Sequence, residues 1–131
     1  MTLSYRIKVA FIAFLSICAF SAKADVIDDV TALLKAGNAK EMSRYLASNV
    51  ELTLLTDDAE YSKTQAEAAL RNFFSKHSPT GIKILHKITS NPNHRFAVVN
   101  LVTNAGTFRT SISLRNFSGK FLITELRIEE D

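Results

Sequence analysis

The sequence predicts an α+β domain, and three observations carry the prediction. Apolar residues in the first half recur every three to four positions, the spacing of amphipathic helices. In the second half the period drops to two over four successive runs, as strands require. Short polar turns join those runs, so neighbouring strands lie antiparallel and make a four-stranded meander. Helices covering one face of an antiparallel sheet define the class.

The chain has 131 residues, and its opening differs in kind from the rest. Residues 1–8 hold Arg6 and Lys8 and no acid, and residues 9–20 are uncharged and apolar. Ala22 and Ala24 then put small residues at the two positions a signal peptidase reads. Residues 1–24 are expected to be a cleavable signal peptide, and residues 25–131 a single exported domain, periplasmic or secreted. The apolar run of 12 residues falls short of the ~20 that cross a bilayer, so no membrane span is expected after cleavage. Cys18 sits inside that run behind Ile17, where a lipid-anchoring peptidase would need a small residue, so lipid anchoring is not expected.

Removing the leader removes Arg6, Lys8 and Lys23, and leaves 13 basic against 13 acidic residues. The net charge of +3 therefore belongs to the leader. The inference from basic charge to nucleic acid fails with it, and nucleic acid is not expected as a partner. Cys18 is the only cysteine. A mature chain without disulfides must rest on its apolar core, which a single domain of this length can supply.

Each element follows from local signals. Asp25 can cap a first helix, with Asp28 and Asp29 in the turn where the helix dipole favours negative charge. Val26, Ile27, Val30, Leu33 and Leu34 form its apolar stripe, and Gly37 ends it. Asn38 and Glu41 make a capping-box variant that opens a short second helix through Met42, Tyr45 and Leu46. Residues 50–55 read as a first strand and residues 56–59 as a turn. Ser62 and Gln65 form a further capping box ahead of a third helix, whose stripe is Ala66, Ala69, Leu70, Phe73, Phe74 and His77. Pro79 and Gly81 stop it. Four strand runs follow at 82–89, 95–103, 107–116 and 121–129, separated by turn residues at 90–93, 104–106 and 118–119.

Three helices, a short strand and a long meander, in this order, resemble the nuclear-transport-factor-two-like fold, also called cystatin-like or SnoaL-like. The chain also resembles an uncharacterised exported bacterial family of that architecture. The resemblance is carried by residues 61–67 (YSKTQAE), 71–76 (RNFFSK), 83–87 (KILHK), 106–109 (GTFR) and 122–129 (LITELRIE). It implies a curved antiparallel sheet wrapped round the helices as a cone, and dimers formed through the sheet. It implies no activity, because one fold hosts many functions.

Alternation assigns candidate site residues. His86 shares a face with Ile82, Ile84 and Ile88, and in a cone that face could line a ligand pocket where an imidazole serves as acid, base or polar handle. The plainer alternative is a core histidine bonded to a neighbour. Asn100 shares a face with Phe96, Val98 and Val102 and, if buried, needs partners within the sheet or on a ligand. Tyr45 and Tyr61 are amphipathic candidates for the pocket mouth, and ordinary packing explains both equally. His77 suits a helix C-terminus, where the dipole favours an imidazolium, and His94 suits a turn. Glu125 shares a face with Phe121, Ile123 and Arg127, and an ion pair with Arg127 is its simplest role. No metal-ligand framework, phosphate loop or nucleophile elbow is present in the sequence, and neither metal nor cofactor is expected.

The strand at 96–102 is apolar on both faces, and so is the last strand. A half-exposed antiparallel sheet alternates more cleanly, so the outer face is expected to be covered, by a second copy or another protein. The sequence thus favours a non-enzymatic exported module that holds a small apolar or amphipathic ligand in its cone or a protein on its sheet. The alternatives are an isomerase- or dehydratase-type enzyme using His86, and a purely structural homodimer.

Overall fold

A computed structural model describes residues 25–131. The expected signal peptide, residues 1–24 with Cys18, lies outside them. Helix α1 spans Val26–Ala36. Asp25 caps it, accepting from Ile27 N, while the Asp28 carboxylate accepts from Asp25 N. Its buried stripe is Ile27, Val30, Thr31 and Leu34. Gly37 ends it at φ 64°, with Gly37 N donating to Leu34 O and Asn38 N to Leu33 O. A side chain at Gly37 would place its Cβ 3.1 Å from Pro79 Cδ, so glycine also permits the close approach of this corner to the sheet.

Helix α2 is a single turn, Ala39–Met42, capped by Asn38 Oδ1 on Glu41 N at 3.1 Å. The second helix was expected to run on through Tyr45 and Leu46. Instead Ser43–Tyr45 tightens into a 3₁₀ turn, and Leu46 starts strand β1, Leu46–Leu54. Leu46 is fully buried and pairs with Ile123, so pairing in the sheet displaces the helical continuation. A two-residue turn at Leu55 and Thr56 leads to β2, Asp57–Ser62. The turn expected at 56–59 is thus corrected to a hairpin whose second strand begins with the two aspartates. Leu55 takes a φ of 61° there and is held by its N–H on Ile128 O at 2.7 Å. Helix α3, Lys63–Lys76, follows the reciprocal cap of Ser62 and Gln65, and buries Ala66, Leu70, Phe73 and Phe74.

Strands β3 (Pro79–Ile88), β4 (His94–Thr103), β5 (Gly106–Phe117) and β6 (Lys120–Glu130) complete a six-stranded sheet in the order β2-β1-β6-β5-β4-β3. Every pairing is antiparallel except β1 with β6, which is parallel. The expected antiparallel sheet is therefore mixed. Turn residues report which sequence neighbours pair, whereas β1 and β6 meet from opposite ends of the domain with no local signal between them.

The helices cover one face. Between helices and sheet lie Ile27, Val30, Leu34, Met42, Leu70 and Phe73 from the helices, and Leu52, Ile112, Ile123, Leu126 and Ile128 from the strands. Most of these have no accessible surface. Of the four register irregularities in the sheet, two move candidate residues to the other face. On β3, Ile84 lies opposite Val99 but His86 opposite Val98, so Leu85 is an extra residue. On β6, Ile123 lies opposite Leu114 but Glu125 opposite Ser113, so Thr124 is an extra residue. Such bulges bend their strands and turn the following side chains to the other face.

Candidate functional site

The four residues expected to line one pocket fall on two faces, and the β3 bulge moves one of them. Past Leu85, His86 turns away from Ile82 and Ile84, and stands exposed on the outer face, opposite Val98. Asn100 lies on the same outer face of β4, opposite Lys83 and Arg109, with its Oδ1 buried and without a hydrogen-bond partner. Tyr45 and Tyr61 are on the other side of the sheet, half-buried against the core. The four therefore form two pairs on opposite faces, and His86 does not point into the space between helices and sheet. Thr124 does the same to Glu125, which leaves the face of the buried Ile123 and joins Arg127 outside. There Arg127 lies 3.7 Å from Glu125 and 2.8 Å from Glu129, and its hydrogen bond to Glu129 raises its pKa further above the ordinary arginine value.

His77 ends α3, its Nδ1 3.1 Å from Phe73 O, with its ring stacked 4.4 Å above that of Phe73. That is the helix-end role expected of it. Grooves among the described residues open at the surface: one by Tyr45, Leu33 and Lys120, one by His77 and Leu55, and one by Glu51, Asp58 and Glu60.

The outer face of the sheet has a pattern of its own, and it divides at the β5–β6 boundary. Across β2, β1 and β6 one row reads Glu60, Glu51 and Glu125, three carboxylates in register. The adjoining row reads Asp58, Thr53 and Arg127, with Thr53 Oγ1 donating to Asp58 at 3.1 Å. Like charges directly opposite each other destabilise a sheet, and Glu51 and Glu60 have no ion-pair partner among the described residues.

On the other side, β5, β4 and β3 present Arg109, Arg115, Lys83, His86 and His94 around Phe96, Val98, Val102 and Ile88. No Asp or Glu occurs anywhere between Glu67 and Glu125, so this half has no acid of its own. Lys83, Arg109 and Arg115 are exposed and make no ion pair among the described residues. Apolar side chains are exposed with them: Ile88 by 39%, Val102 by 39% and Phe117 by 47%. The sequence expectation of an apolar outer face holds for this half of the sheet and not for the β2–β1–β6 half. The formal neutrality of residues 25–131 hid the division. The visible signal was the long stretch without acids, ending where the last strand turns acidic.

Comparison with known proteins gives a family and a fold. The family model described as "Domain of unknown function (DUF4783)" matches residues 27–129. No curated protein matches the chain. A DUF4783 family protein from Bacteroides uniformis ATCC 8492 is 27% identical, with 82% of this chain and 98% of that one covered and a TM-score of 0.78. Another, from Bacteroides fragilis YCH46, is 28% identical, with 83% of this chain and 100% of that one covered and a TM-score of 0.74. A designed nuclear-transport-factor-two-like protein matches at 16% identity over 79% of this chain and 92% of its own, with a TM-score of 0.60, a likeness of fold alone.

Proposed function

The chain belongs to the DUF4783 family of unknown function, and from that premise we propose that it is an exported, non-enzymatic module that binds protein through the outer face of its sheet. One observation carries the reading. The β3–β4–β5 half exposes Ile88, Val102 and Phe117 along its length, with unpaired Lys83, Arg109 and Arg115 between them and no acid of its own. The helix side speaks for a ligand much less, since the side chains between helices and sheet are packed against one another. The enzyme alternative gains nothing from His86, which is exposed on the edge strand β3 and has no carboxylate on β3, β4 or β5.

Site-specific photo-crosslinking tests the reading. The full-length chain is expressed with a photoreactive residue at Val102, and in parallel at Lys35 on α1, which is exposed on the far side of the molecule. Adducts of defined protein mass from position 102 and none from position 35 are expected. Adducts from position 35 alone, or from neither, overturn the proposal. The mass of the purified chain checks export, which predicts a polypeptide beginning at Asp25 recovered from the cell envelope or the medium.

A further inference from the structure

We propose that the basic half of the outer face takes an extended acidic segment of a partner protein, laid along β4 with a carboxylate at each end and apolar side chains between. The inference rests on the reading that this face takes a protein, and adds the chemistry of the segment it takes.

The outward side chains of β4 read His94, Phe96, Val98, Asn100 and Val102. Cations stand at two places along this stripe. At one end Arg115 of β5 lies opposite His94. Further along, Asn100 has Lys83 of β3 opposite it on one side and Arg109 of β5 on the other. Lys83, Arg109 and Arg115 are exposed and have no ion-pair partner among the described residues. Asn100 adds an amide N–H₂ donor to the second group, its Oδ1 being buried without a hydrogen-bond partner. Between the two groups lie Phe96 and Val98, with Ile88 exposed beside Phe96.

That order, with cations at both ends and apolar groups between, sets the occupant. The stretch of strand from His94 to Asn100 spans about 20 Å. An extended segment has the same rise and sends alternate side chains to one side. Its residues i, i+2, i+4 and i+6 therefore fall on His94, Phe96, Val98 and Asn100 in turn. Acids at i and i+6 meet the two cationic groups, and apolar residues at i+2 and i+4 meet Phe96 and Val98. A helix would need about 13 residues to cover the same distance and could not follow the stripe with alternate positions. On the β5 side, Ser113 and Ser111 lie opposite Phe96 and Val98. Their small side chains leave a trough there, and their hydroxyls can bond the backbone of the segment. The carboxylate row of Glu60, Glu51 and Glu125 repels an acidic segment from the other half of the sheet and keeps it on β4.

Titration of the purified processed chain with the blocked peptide Glu-Ser-Val-Ser-Val-Ser-Glu, followed by backbone amide chemical shifts, tests the proposal. A peptide of the same composition with both acids at one end, Glu-Glu-Val-Ser-Val-Ser-Ser, is the control. Saturable shifts are expected along β4 from His94 to Asn100 and at the residues opposite them on β3 and β5, weakening as salt rises. The control should bind about tenfold more weakly, since it reaches one cationic group at a time. A form carrying Arg109→Gln and Arg115→Gln should lose affinity for the first peptide by at least about tenfold. Both arginines are exposed, and circular dichroism checks that this form folds.

No shifts at millimolar peptide, shifts centred on another face, or equal binding by the control peptide or the neutralised form overturn the proposal. So does the appearance of the same shifts when the chain is concentrated without peptide, which would give the stripe to a second copy. Protein adducts from position 102 beside any of these outcomes would keep the face as a protein-binding surface and reject only the acidic segment.

Discussion

Two neighbouring rows of residues cross this sheet one position apart. On the inner side Ala59, Leu52, Leu126, Ile112 and Ala97 stand in register from β2 to β4, and all but the edge residue Ala59 are sealed under the helices. On the outer side Glu60, Glu51, Glu125, Ser113 and Phe96 cross the same strands, opening on three carboxylates and ending on an aromatic ring. The inner row explains why the domain folds. The outer row adds repulsion at one end and unsealed apolar surface at the other, so folding of a single chain does not account for it. The difference teaches where to look for function: in the row whose composition is poor for an isolated domain.

The largest test of this contrast removes volume from the inner row. Leu126 has no accessible surface and sits between Leu52 and Ile112. Leu126→Ala should lower the unfolding free energy by about 2–5 kcal/mol, the cost of lost burial plus a cavity, read by urea denaturation. A loss below 1 kcal/mol would mean that the inner face is not the continuous packed layer described here. A smaller effect of opposite sign is expected at Thr110, on the same face and opposite Val99 and Ile128. Thr110 is fully buried and its hydroxyl has no hydrogen-bond partner. Thr110→Val keeps the shape and removes the unpaired group, so stability should rise by about 1 kcal/mol. A loss instead would show that the hydroxyl is satisfied in solution.

The two faces were also unequally legible in the sequence. Capping residues and the 3.6-residue stripe located α1 and α3, because those signals are local and the caps form as the residues dictate. The strand runs and turns located β3 to β6 for the same reason. Alternation placed Asn100 with Val98 and Val102, since β4 is regular between them, but misplaced His86 and Glu125. Each lies just beyond an inserted residue, Leu85 or Thr124, and one insertion inverts the alternation for the rest of the strand. Neither insertion has a glycine or proline to announce it. The parallel pairing of β1 with β6 was equally invisible, and with it the Glu60–Glu51–Glu125 row, which exists only because strands far apart in sequence adjoin. The acid-free stretch from Ala68 to Thr124 could be read directly. Its meaning appeared only once those strands were seen to form one half of one face.

The smallest effect bears most directly on the outer row. Glu60 stands opposite Glu51 on the edge strand, both are exposed, and neither has a cation among the described residues. Glu60→Gln removes one of two facing like charges and should raise the unfolding free energy by about 0.2–1 kcal/mol, read by urea denaturation. The gain should shrink as salt screens the repulsion in the wild-type chain. A gain that salt removes means that the carboxylate row is a cost that folding of the chain does not offset. No gain, or a loss, would make it an ordinary solvated surface, and the contrast between the two faces would end at the core.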